Sequence, residues 1–163
     1  MAQKIALLMR MVPVFFTQAI LQKATILFEK DNIEFNSYVK RIFIIGLSIT
    51  FVIGLIVIIF SKWIIFLLAG SYVVYSEAIL KILAFIPFLS MLNFNNMINI
   101  LVDEKKHLLT TATWVTAIVM LILATIGSYY YGGYGLSVAL VITEIVSFIV
   151  HSILLLKNKH ERV

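Results

Sequence analysis

The chain has 163 residues, of which 62% are apolar and 13% charged, against roughly 45–50% and roughly 25% in a soluble domain. A soluble domain of this size could not keep so much apolar surface from water, so a soluble enzyme, a disordered chain and a nucleic-acid module are excluded. The net charge of +5 comes without a basic stripe interleaved with aromatics, so no nucleic-acid partner is expected. The composition, with a mean hydropathy of +1.06, is that of an integral membrane protein whose cationic excess holds loops on the cytoplasmic side.

The expected fold is all-α, a single membrane domain over residues 1–163 with about five transmembrane helices, each needing about 20 mostly apolar residues. The first span, 5–28, contains Arg10 and Lys23; it crosses if Arg10 faces a polar interior and Lys23 snorkels to one end. The second, 42–60, is free of charge, and its helix can run past Lys62 towards Leu68. On it Gly46, Thr50 and Gly54 form a groove of small residues suited to close helix packing. The third span, 82–102, includes Pro87, which removes a backbone bond and permits a kink. The fourth and fifth, 108–131 and 136–156, flank the short stretch Tyr131–Gly135.

Loop charges orient the bundle. Lys30, Lys40, Arg41, Lys105, Lys106, Lys157, Lys159 and Arg162 fall on one side, and Lys62 lies on the other near Glu77 and Lys81. The positive-inside rule then makes the C-terminus cytoplasmic. Five crossings place Lys4 outside, which a short basic tail opposes, so the expectation is a C-terminal part of a longer transporter or a truncated product.

Three groups of polar residues fall within the spans. In the last one, Ser137, Glu144 and His151 are spaced by seven, with Ser147 three beyond Glu144, so all four share one helix face. An ionised acid at the bilayer centre costs about 2.5–3.5 kcal/mol, so this face should turn to protein or to a watery cavity. Glu144 and His151 are the candidates for coupling transport to protons; a polar seam between packed helices is the bland alternative. The run NFNNMIN supplies Asn93, Asn95, Asn96 and Asn99; Asn96 and Asn99 share a face and are candidate sugar contacts, although amides also join helices in membranes. In the first span Gln3, Arg10 and Thr17 repeat every seven residues, with Gln18 and Gln22 on a neighbouring ridge. Arg10 offers a forked donor set for phosphate, and Gln18 is the accompanying cavity candidate. No cysteine, HExxH, Walker loop or acidic metal motif is present, so no enzyme activity, metal or cofactor is expected.

Several stretches together resemble one family. They are PVFF at Pro13–Phe16, KWIIFLLAGSYVVYSEAILKIL at Lys62–Leu83, the asparagine-rich helix, the turn DEKKH at Asp103–His107, and YGGYGLSVALVITE at Tyr131–Glu144. Their order and spacing resemble the C-terminal half of bacterial polysaccharide exporters, the O-antigen and lipid-linked oligosaccharide flippases of the multidrug/oligosaccharidyl-lipid/polysaccharide superfamily. The resemblance implies one of two pseudo-symmetric helical lobes in the cytoplasmic membrane, with the N-terminal lobe missing from this chain. It also implies alternating access and a substrate of the undecaprenyl-pyrophosphate glycolipid type. A multidrug or cation antiporter of the same superfamily, and a non-catalytic scaffold subunit, are the competing readings.

Overall fold

The computed structural model describes residues 2–70, 73–102 and 106–160; side chains are described for these except 2–10, 12–14, 16, 68, 69, 106 and 158–160. Among the described residues every element is a helix: α1 (Ala2–Lys30), α2 (Asn32–Ala69), α3 (Val74–Leu83), α4 (Ile86–Leu92), α5 (Phe94–Val102) and α6 (Lys106–His160). Three segments among the described residues are long and apolar enough to cross a membrane: Asn32–Leu67, Val74–Val102 and His107–Lys157.

Local chemistry sets the ends of α2. The Asp31 side chain accepts from the Ile33 N–H at 2.7 Å, closing the helix start, and Glu34 sits in the first turn where the helix dipole favours an acid. At the far end Gly70 takes a left-handed φ of 68° and donates its N–H to the Phe66 carbonyl at 3.0 Å. The helix runs past Lys62, as its apolar continuation WIIFLL requires. Its small-residue groove is buried: Thr50 donates to its own Gly46 carbonyl at 2.9 Å, and a Cβ on Gly54 would come within 3.0 Å of the Ala84 carbonyl oxygen.

The third expected span differs from expectation. Instead of one kinked helix over 82–102, the helical stretch starts at Val74 and is interrupted twice, at 84–85 and at Asn93. Pro87 explains the first break, because it has no N–H to donate to the Leu83 carbonyl. At the second, the Asn93 N–H turns to the Ser90 carbonyl at 3.2 Å, a tighter turn than the α ladder. This broken stretch is the central layer. Helices α1 and α2 pack on one side of it, and α6 packs on the other against α3, α4 and α5.

Helix α6 is a hairpin. Gly132, with φ 59° and ψ −137°, divides it into two limbs, 106–131 and 133–160. Thr143 reaches Met120 across the limbs, with its Oγ1 3.3 Å from the sulfur. Nearer the tip, Gly127 and Gly135 meet backbone to backbone. Tyr75 fastens the tip from outside, its hydroxyl accepting from the Tyr134 N–H at 3.0 Å and donating to the Tyr131 carbonyl at 3.2 Å.

Two apolar clusters hold the layers together. Val57 and Ile65 of α2 meet Ile79, Leu80 and Leu83 of α3 at one end. At the other, Ile20, Ala24 and Leu27 of α1 pack with Phe35 and Val39 of α2 and with Met91, Phe94 and Ile98 of the central layer. Phe28 and Phe35 add an edge-to-face contact at 5.2 Å across the α1–α2 turn. In lipid such packing stabilises through close contact rather than through removal from water.

Candidate functional site

A cavity of about 520 Å3 lies between α1 and the two limbs of α6, over the break that joins α4 to α5. Its polar wall is made by Thr17 and Gln18 of α1, Ser90 and Asn93 at the break, Thr113 and Thr116 of the first limb, and Thr143, Glu144, Ser147 and His151 of the second. Leu21, Phe94, Met97 and Leu109 are among its apolar lining. Outside, the bundle is apolar: Ile59 and Trp63 on α2, and Ile118 and Leu121 on α6, are all exposed.

The polar face of the second limb is sorted by helical spacing. Glu144, Ser147 and His151 all reach the cavity, with Glu144 and His151 buried. Ser137, one step nearer the tip, turns its hydroxyl to the Tyr134 carbonyl at 2.7 Å and stays out of the cavity. Turning an acid and an imidazole inward avoids the penalty of exposing them to lipid.

Gln18 lines the cavity beside Thr17. Arg10 belongs to α1 by its backbone, and its side chain lies outside the described residues. The two asparagines expected to meet sugar take other positions. The Asn96 amide donates to the Ser152 hydroxyl at 2.7 Å, joining α5 to the hairpin. Asn99 bonds back along α5 to the Asn95 carbonyl at 2.6 Å. Neither is on the cavity wall. The asparagine that lines it is Asn93, whose amide nitrogen is 3.2 Å from the Ser147 hydroxyl and 3.3 Å from His151 Nδ1.

The threonines of the wall were also missed as a group. Thr113, Thr116 and Thr143 donate to the Leu109, Ala112 and Ala139 carbonyls of their own helix. Their donors are thus spent, and their oxygens keep lone pairs. Spacing alone would have signalled this, since Thr113 and Thr116 share a face and the hairpin brings Thr143 opposite them. Lys23, expected to snorkel, is exposed with its Nζ 5.0 Å over the Tyr38 ring. Among the described residues no group of three His, Cys, Asp or Glu comes together to hold a metal.

No protein-family profile, curated protein or solved structure matches the chain.

Proposed function

We propose that the chain is one helical lobe of a membrane carrier that moves lipid-linked oligosaccharide units across the cell membrane. The carrying observation is the cavity itself: ten polar side chains line one cavity of a bundle that shows apolar side chains on its outer faces. Discontinuous helices beside a central cavity are a recurring device of secondary transporters, and the break at Asn93 adjoins this one.

Five crossings follow if α1, α2, the broken α3–α5 stretch and each limb of α6 count as one. At about 1.5 Å per residue the limbs are about 39 and 42 Å long, enough for a core of about 30 Å. The orientation rests on loop charge and makes the C-terminus cytoplasmic. In this reading Arg10 meets the phosphate of the substrate, Gln18 lies on its path, and Glu144 couples movement to protons. The second lobe implied by the family resemblance completes the carrier. A multidrug or cation antiporter is the second reading, favoured by Glu144 being the one charged residue on the described wall.

The deciding experiment is restoration of surface glycan in a flippase-deficient bacterium. The gene supplied with its upstream neighbourhood should restore export, and the chain alone should not. Export of a cationic dye with no effect on glycan would favour the antiporter; neither activity in a membrane rich in the protein would sink both.

A further inference from the structure

Asn93 and His151 are only 5% and 4% exposed, and both line the cavity. His151 Nδ1 lies 2.7 Å from the Ser147 carbonyl oxygen, which can only accept. Nδ1 therefore carries a proton, and in the neutral ring this leaves Nε2 as an acceptor. Among the described residues nothing bonds to Nε2, and nothing bonds to Asn93 Oδ1.

The Asn93 amide can be seated either way round. As placed, its nitrogen faces Ser147 and the ring, and its oxygen is left over. Turned over, the oxygen accepts from the Ser147 hydroxyl and from Nδ1–H, which removes a contact between two donors, and the nitrogen is left over. Either way one amide atom and Nε2 remain unmatched. Each such buried atom costs about 1–3 kcal/mol, so two of them, on neighbouring side chains of one cavity wall, call for a ligand.

We infer that Asn93 and His151 form a binding site for a hydroxyl group of the transported sugar. This rests on the glycan-carrier reading and names the group that the cavity recognises. A hydroxyl donates to Nε2, and its oxygen or a neighbouring hydroxyl matches the amide in either seat. Phosphate and carboxylate oxygens would oppose the Nε2 lone pair. The surrounding wall agrees, since the oxygens of Thr113, Thr116 and Thr143 offer lone pairs and no Lys or Arg lines it among the described residues. A volume near 520 Å3 is that of a small-molecule site. Both unmatched atoms are enclosed, so the sugar reaches them only as the Asn93 and His151 side chains turn towards the cavity that both residues line.

The test is 15N NMR of the full chain in lipid nanodiscs with labelled imidazoles, of which there are three. Loss of one signal in His151→Phe assigns it. A prenyl pyrophosphate bearing a disaccharide is titrated in, beside the same lipid without sugar. The Nε2 resonance should move to its hydrogen-bonded position with the sugar-bearing lipid only, and Asn93→Leu should raise half-saturation about tenfold for one lost hydrogen bond. Movement with neither lipid, movement with both, or a resonance already hydrogen-bonded by water and unmoved by sugar overturns the assignment. Glycan export separates the two ideas: export with a static His151 signal removes this site alone, and a sugar-dependent shift without export removes the transport reading alone.

Discussion

Gly127 and Gly135 touch backbone to backbone across the α6 hairpin, so closely that a Cβ on either would run into the carbonyl of the other. Backbones that approach this far need small residues at both positions, which in lipid is how helices gain contact. Gly135→Ala should therefore destabilise the folded protein by about 1–3 kcal/mol, the usual range for overpacking. Gly70 is the control: nothing lies within 4 Å of a Cβ there, so Gly70→Ala bears only the left-handed φ, about 1–2 kcal/mol. Thermal unfolding in detergent compares the two. A Gly135→Ala variant as stable as the parent would mean that the limbs can part without loss.

Asn96 and Ser152 should show measurable coupling. Their 2.7 Å bond joins α5 to the second limb, and interhelical pairs of this kind average about 0.6 kcal/mol in membranes. A double-mutant cycle with Asn96→Ala and Ser152→Ala reads the coupling directly. Asn99→Ala, which only loses a bond within α5, should change stability by less than about 0.5 kcal/mol. If Asn96→Ala leaves stability untouched but stops glycan export, sugar contact is its role after all.

Glu144→Gln keeps shape and hydrogen-bonding capacity while removing the charge from the cavity wall. Glycan export should fall at least about tenfold, as for the loss of a proton-transferring group, with membrane abundance nearly unchanged. Export at the parental level would leave Glu144 as a packing residue. Collapse of abundance would give it a structural role.

The aromatic residues predict how the bundle sits in lipid. Tyr129, Tyr130 and Tyr131 are exposed at the hairpin tip, and the Tyr75 and Ser61–Glu77 bonds bring exposed Trp63 to the same end. Such residues gather at headgroup level. Trp114 lies 18 residues before Gly132, so about 27 Å down the limb, near the opposite boundary of a core about 30 Å thick. Glu144 then lies about 18 Å below the tip, near the middle. With Trp114→Phe and Trp63→Phe isolating each indole, brominated lipids should quench both best with bromines close to the headgroups. A deep position for either would shift the bundle. Cysteines at Tyr130 and Ser37, both exposed, should label from outside and inside respectively.

The inward face of the last limb was legible because one helix supplies all of it: 144, 147 and 151 keep their mutual angles whatever surrounds them. The hairpin was legible for a similar reason, since glycines cluster where the chain must turn. The choice among the asparagines was not. Which of them faces the cavity depends on the turn at Asn93, and that turn is joined by Ser147 and His151, more than fifty residues away. Local spacing carries a continuous helix through Asn93 and sends Asn96 and Asn99 to a face that they do not occupy. The first break could be foreseen as a weakness at Pro87 but not as an interruption, because its close seat against Gly54 is a tertiary contact.

Helix α2 has 38 residues and so measures about 57 Å, nearly twice the thickness of the hydrocarbon that it crosses. A rod of that length works as a lever. A tilt of about 10° carries one end roughly 10 Å relative to the other, and tilting is the ordinary response of an overlong helix to its bilayer. Near its start α2 is packed to α1 and the central layer through Phe35 and Val39, and near its end to α3 through Val57 and Ile65. Rocking the rod would therefore shift α1, and with it the part of the cavity wall that bears Thr17 and Gln18. A bilayer that tilts α2 would thus be felt at the cavity wall.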